Sequence, residues 1–220
     1  MRRVVVVLAL LALALPMSAW ADIIATNRGG TIAFSNMGGS GLGTIGLTTM
    51  TSTGSQLSQW NGIFAAAGHA LGSVNFATGA LSSGSISGGG TFAGGGFFNI
   101  FGVGAWAKAI TGCSSCTNPV TLFTGSFSGP TTWTLDSTTK QKSTYTLSGA
   151  IAGMLWDGRT VTGTTTQNIS ILSTGQLIRG IGHVNMGSSQ FPVPEPGTLG
   201  LLGTGLVGIA GMFRRKLMGA

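Results

Sequence analysis

Residues able to do chemistry are few in this chain. Between residues 22 and 193 there are three carboxylates, Asp22, Asp136 and Asp157, two histidines, His69 and His183, and two cysteines, Cys113 and Cys116. A glycosidase needs two carboxyl groups facing each other about 5–10 Å apart. Asp136 and Asp157 instead read as turn residues, where aspartate has an ordinary structural job. A Ser-His-Asp set is open in number to either histidine, but no Gly-x-Ser-x-Gly elbow presents a serine. His69 lies among alanines and glycines and reads as a turn or core residue; His183, in Gly182-His183-Val184-Asn185, reads as a strand residue. The chain is therefore expected not to be an enzyme, and to use no cofactor and no metal.

Cys113-Ser114-Ser115-Cys116 is compatible with a disulfide, with free thiols or with a metal or redox site. A structural zinc site takes four ligands, and only the two histidines are available to complete one. In an exported protein a local disulfide is favoured. So short a loop gains little chain entropy, so the bond should stiffen a turn rather than hold the fold together. Trp60, Trp106, Trp133 and Tyr145 could stack on sugar rings, but core packing is the favoured account of each. Asn168-Ile169-Ser170 has the form of a glycosylation acceptor and reads as a surface strand. Gly88-Gly89-Gly90 and Gly94-Gly95-Gly96 bracket Thr91-Phe92-Ala93, but no Lys-Ser/Thr follows, as a phosphate loop would require.

The two ends carry targeting signals. Arg2 and Arg3 precede an apolar run from Val4 to Leu15, and Ala19-Trp20-Ala21 supplies small residues two apart. This is the layout of a secretory signal peptide, cut between Ala21 and Asp22. The run is shorter than the roughly 17–25 apolar residues that span a bilayer. At the other end Pro194-Glu195-Pro196 precedes an uncharged stretch, 198–213, and then Arg214-Arg215-Lys216. As a helix that stretch reaches about 24 Å at 1.5 Å per residue, short of a core of about 30 Å but within what local thinning accommodates. The basic cluster behind it should remain cytoplasmic. The two prolines hold Glu195 extended and off the helix.

Tripeptide, short Gly-rich apolar helix and basic end, behind a signal peptide, resemble the PEP-CTERM sorting signal. The resemblance covers about the last 27 residues, not the body. It implies an exosortase, a membrane-embedded transpeptidase-like enzyme, that cuts at the Pro-Glu-Pro motif and passes the protein to the surface of a Gram-negative bacterium that makes exopolysaccharide. Signal peptidase and exosortase are the implied processing partners, with the inner membrane a transient one. A Gram-positive sortase tail would need an LPxTG motif, which is absent. The expected organisation is a signal peptide at 1–21, a Gly/Ser/Thr-rich β domain at 22–190 and a sorting tail at 191–220.

The net charge of +7 is concentrated in these signals: Arg2, Arg3, Arg214, Arg215 and Lys216 are five of the eleven basic residues. Between Asp22 and Pro194 six basic residues face three acidic ones, scattered and without an aromatic-laced patch, which excludes nucleic-acid binding. Only 7% of the chain is charged, against about 25% in ordinary globular domains, so hydroxyls must cover the outside. Such a body suits an exported surface or extracellular-matrix protein with a structural or adhesive role linked to exopolysaccharide, or else a carbohydrate-binding module.

Strand signals dominate this body. Thr132-Trp133-Thr134-Leu135 and Thr144-Tyr145-Thr146-Leu147 alternate alike. A hairpin centred on Lys140 sets Trp133 opposite Leu147 and Leu135 opposite Tyr145, all on one face. Asp157-Gly158 signals a two-residue turn pairing Trp156 with Arg159 and Met154 with Val161. Residues 131–187 thus read as a meander of four or five antiparallel strands. Three segments, 83–88, 124–129 and 148–153, share the form hydroxyl-Gly-small-apolar-small-Gly, with the apolar residue expected inward and the glycines at close approaches. Residues 61–71 could form a helical turn or a strand pair. The expected fold is an all-β antiparallel sandwich, with a barrel or solenoid as alternatives, flanked by a signal helix and a C-terminal transmembrane helix.

Overall fold

A computed structural model of the chain describes residues 22–36, 45–172 and 181–192. Thirteen strands and one helix follow in order: β1 (Ile23–Arg28), β2 (Thr31–Asn36), β3 (Thr48–Trp60), β4 (Ile63–Phe64), β5 (Gly72–Ala77), β6 (Leu81–Ser85), β7 (Gly89–Phe92), β8 (Gly95–Gly102), α1 (Ala105–Thr111), β9 (Val120–Phe127), β10 (Thr131–Thr138), β11 (Lys142–Leu155), β12 (Thr160–Leu172) and β13 (Ile181–Phe191). Among the described residues no helix is long and apolar enough to cross a membrane. The segments expected to form a signal peptide, 1–21, and a membrane span, 198–213, lie outside the described residues.

The sheet closes on itself. Antiparallel pairing runs β3–β5–β8–β9–β11–β12–β13–β1 and returns to β3. Several staves of this ring are two strands end to end. β1 and β2 share both neighbours, β13 and β3, and keep one register against β13, with Asn27 opposite Gly187 and Thr31 opposite His183. β10 likewise continues β9 along β11, and β7 continues β8 along that pair. The result is an eight-stave up-and-down antiparallel barrel. The sandwich expectation is corrected accordingly. A sandwich leaves two open sheets with edge strands, whereas here the first stave meets the last from Ile23↔Phe191 to Asn27↔Gly187.

Glycine permits the bending that closure requires. Gly30 has φ +88° at the break between β1 and β2, and a Cβ there would stand 2.7 Å from the Ser55 Cα. Gly125 and Gly153 face one another across β9 and β11, and the Phe123 ring lies 2.8 Å from the Cβ position of each. These two glycines belong to the recurring segments. The bulky members Ile86, Phe127 and Ile151 are all buried, as the pattern predicts.

The barrel interior is a packed core. Phe76 and Phe98 stack at 5.8 Å, Phe127 meets both edge-on at 6.1 and 5.9 Å, and Phe123 connects Phe98 to Phe191 at 6.3 and 4.6 Å. Along β12, Val161, Gly163, Thr165, Gln167 and Ile169 point inward while Thr160, Thr162, Thr164 and Thr166 point out. This is the reverse of an outer-membrane barrel, whose outward side is apolar.

The β10–β11 hairpin has the expected register, Trp133↔Leu147 and Leu135↔Tyr145. The next turn is one residue off the expected pairing. Met154 lies opposite Thr160 and Gly153 opposite Val161. The loop spans Trp156 to Gly158, closed by the Leu155 N–H donating to the Arg159 carbonyl at 2.9 Å. Asp157 accepts from the Arg159 N–H at 3.1 Å, and Gly158 takes φ +83°. A third loop residue shifts the register by one, which places Met154 outside and Leu155 inside. Residues 61–71 form neither a helical turn nor a strand pair of their own: only Ile63 and Phe64 are strand, folded back on the end of β3 with Trp60 opposite Ile63, and 65–71 is a connection.

Candidate functional site

Ala19, Ala21, Pro194, Glu195, Pro196, Arg214, Arg215 and Lys216 lie outside the described residues. Asp22 is described, and its carboxylate accepts a hydrogen bond from Gln190 Nε2 at 2.8 Å. Since Ile23 pairs with Phe191, the described chain begins and ends side by side at one end of the barrel. Asp22–Pro192 is one compact unit.

Three connections meet at this terminal end: β3 to β5, β8 to β9, and the 156–158 turn. Trp60, buried, meets the partly exposed Trp156 edge-on at 5.9 Å. Across β8 and β9 lies α1, a helix the strand-dominated sequence did not announce, although Ala105, Ala107 and Ala109 favour one. It ends at Gly112, in the left-handed conformation, whose N–H donates to Ala109 O, followed by Cys113 N–H to Lys108 O, a C-terminal cap of ordinary kind. Its Ala107 is buried, and Trp106 packs near Gly102 with Nε1 buried and no acceptor among the described residues. An unmade bond of this kind costs about 1–3 kcal/mol. Cys113 and Cys116 form a disulfide just beyond the helix.

The four aromatic residues proposed as sugar platforms divide unevenly. Trp60, Trp133 and Tyr145 are each 1% exposed and belong to the core, which removes them as platforms. The rings of Trp133 and Tyr145 stack at 4.4 Å. Their polar tips both reach the β6–β7 turn: Trp133 Nε1 donates to Ile86 O at 2.9 Å and Tyr145 Oη to Ser87 O at 3.0 Å. Burial pushes the Tyr145 hydroxyl above the ordinary phenol range, with partial relief from the Ser143 side chain. Trp106 alone of the four keeps partial exposure. Trp156 and Phe64, at the same end, were not singled out by sequence; the signal for Trp156 was its place against the Asp-Gly turn.

The titratable residues do not converge. Asp136 accepts from Thr146 Oγ1 at 2.7 Å on the outer face of β10. Asp157 pairs with Arg159 at 2.6 Å in the terminal turn. His183 lies on β13 with Nδ1 3.3 Å from Gly30 O, and His69 is exposed in the β4–β5 connection. Among the described residues no group of three His, Cys, Asp or Glu could hold a metal ion. Within Asn168-Ile169-Ser170, Asn168 Oδ1 accepts from Asn185 Nδ2 at 2.7 Å, and Ser170 donates to Asn185 Oδ1 at 2.6 Å.

Comparison with known proteins adds one finding. Residues 192–216 match the model of the PEP-CTERM protein-sorting motif. No curated protein and no solved structure matches the chain. A tail of this kind implies an exported protein, attached transiently to a membrane and processed by an exosortase.

Proposed function

We propose that the barrel is a non-catalytic cell-surface or extracellular-matrix protein of a Gram-negative bacterium, with a structural or adhesive role linked to exopolysaccharide. Signal peptidase removes residues 1–21, the tail holds the body at the inner membrane, and exosortase cuts at Pro194-Glu195-Pro196 to release it outward. The observation that carries this reading is the sorting-motif match, which begins one residue after the last strand residue, Phe191. Nothing but a two-residue link separates the folded body from the tripeptide, so the tail acts on the whole barrel as its cargo.

The character of the body supports the role. Its inside is filled by phenylalanines and its outside carries threonine, serine, asparagine and glutamine with few charges. An uncharged hydroxyl surface suits a hydrated neutral matrix, where weak contacts gain strength from many copies. The carbohydrate-module reading loses three of its four aromatic platforms to the core and rests on the partly exposed Trp106. A pull-down of released protein with the host's exopolysaccharide tests the role directly. Retention by that polymer is expected; release of the protein into free medium with no retention by matrix or cell surface would refute it.

A further inference from the structure

We propose that the outer face of β11 and β12 binds ice, holding a layer of ordered water on a regular net of threonine hydroxyls and methyls. This goes beyond the matrix role and does not depend on it.

β12 carries Thr160, Thr162, Thr164 and Thr166 at alternate positions, all exposed. A cross-strand row meets this file at Thr166: Thr132 lies opposite Ser148, Ser148 opposite Thr166, and Thr166 opposite Ser188. Beside the file on β11 stand Ala150 and Ala152, opposite Thr164 and Thr162. Threonine, serine and alanine make up this face, which therefore has low relief, no charge and no aromatic ring. Longer side chains mark its borders. Met154 stands opposite Thr160 and Gln190 opposite Thr164. The charged groups at the borders are engaged, Asp22 with Gln190, Asp136 with Thr146 and Arg159 with Asp157.

The sheet fixes the spacing of the net. Pairing of β11 with β12 runs from Lys142↔Leu172 to Met154↔Thr160 without a bulge. Alternate residues on a strand stand about 6.4–6.8 Å apart, and neighbouring strands about 4.7–4.9 Å. Threonine is stiff at χ1, so its hydroxyl and methyl are positioned before any ligand arrives. The hydroxyls of Thr160, Thr162, Thr164 and Ser188 make no hydrogen bond among the described residues, and so are offered to solvent. Such a face has no charge to hold an ion and no ring on which a sugar would stack. What it matches is water on a lattice. On the prism face of ice the oxygens form a rectangular net whose short and long repeats lie close to these two. Hydroxyls bond waters of that net while the methyls sit between them, and an ordered water bridge is nearly as favourable as a direct hydrogen bond. Twist and closure carry the more distant staves off this plane, so the contact is the β12 file with the strands flanking it.

The test uses the full chain in mild detergent, with detergent buffer as the blank, in an ice-recrystallisation assay and by retention on a growing ice surface. Wild type should keep ice grains several-fold smaller than the blank and should be carried into the ice. Thr162→Tyr and Thr164→Tyr each place a ring on the net and should lose most of both effects. Ser73→Tyr, on β5 across the barrel from β12, should keep them. Each variant is checked for its β circular dichroism. Wild-type grains as large as those of the blank would overturn the proposal. So would equal activity in all four proteins, since the effect would then not come from this face. Retention by exopolysaccharide that Thr162→Tyr abolishes, with no effect on ice, would make the face a sugar surface and overturn it as well. The matrix reading survives each of these outcomes, because its own pull-down is a separate measurement.

Discussion

Asn27 and Gln167, 140 residues apart in sequence, hydrogen-bond to each other inside the barrel. Asn27 Nδ2 donates to Gln167 Oε1 at 2.9 Å and Gln167 Nε2 returns a bond to Asn27 Oδ1 at 3.3 Å. Ser55 Oγ accepts from the same Asn27 amide at 2.7 Å, and Thr165 Oγ1, itself bonded to Ser189 at 2.9 Å, accepts from Gln167. Both amides are almost fully buried. The network joins β1, β3, β12 and β13 and so crosses the seam where the barrel closes. Gly187 lies between, and a Cβ there would collide with both amide oxygens.

Removing both partners should cost less than the two single removals added together. Gln167→Leu leaves the Asn27 amide short of a partner in the core, at a cost of about 2–4 kcal/mol. Asn27→Leu should cost a similar amount, and the double variant clearly less than the sum. Urea denaturation of the four proteins measures the coupling. Strict additivity would mean the two amides do not depend on one another.

Tyr145 is the only tyrosine in the chain, so the ultraviolet signal of phenolate reports it alone. Its folded pKa is raised above the ordinary value of 10.0 by burial. The linkage sign follows: the neutral phenol is favoured in the fold, its contribution is fully present below pH 10, and it is lost as pH rises through the folded pKa. Titration should therefore give a midpoint above that of the urea-unfolded chain. Tyr145→Phe should lose about 1 kcal/mol at neutral pH with the bond to Ser87 O and show a shallower alkaline decline. A midpoint equal to the unfolded value would contradict the burial described.

The 156–158 turn separates backbone from charge. Gly158→Ala forces a side chain into positive φ and should cost about 1 kcal/mol. Asp157→Asn removes an exposed ion pair but leaves a side-chain oxygen for the Arg159 N–H, and should change stability by less than about 1 kcal/mol. Thermal melts of both variants should rank them in that order.

Reduction of Cys113–Cys116, or its replacement by serines, should lower stability by at most about 2 kcal/mol, because the closed loop is so short. Loss of the barrel's circular dichroism on reduction would show that the loop carries far more of the fold.

Local pairing was legible in the sequence, and closure was not. The alternation around Trp133 and Tyr145 specifies a hairpin because its partners lie within fifteen residues and share a face. The recurring glycine segments likewise announce Phe127 and Ile151 as core. Ile23 and Phe191 carry no local sign of being partners, since period-two alternation says which face a residue takes but not which distant strand it meets. The Asp157-Gly158 register slipped because three-residue and two-residue loops share the same Asp-Gly signal, and the Asp157–Arg159 contacts decide between them only in three dimensions. Trp60, Trp133 and Tyr145 are core residues, the reading favoured from the sequence, although residue type alone also allows sugar stacking. Phe64 and Trp156 emerged only once the fold gathered the stave ends.

The central claim is that the tail sorts the barrel by its Pro-Glu-Pro tripeptide and not merely by its apolar run. Pro194→Ala with Pro196→Ala lets a helix extend toward Val193 while leaving the apolar run and Arg214-Arg215-Lys216 in place. Deleting only those three basic residues should instead weaken the stop and let uncut protein leak to the periplasm. Fractionation and intact-mass measurement of the double alanine variant in the native host is the direct test. The variant should accumulate in the inner membrane with its tail intact, while the wild type loses the tail and leaves that membrane. Processing and release of the variant like the wild type would contradict the sorting account and reduce the tail to a plain anchor.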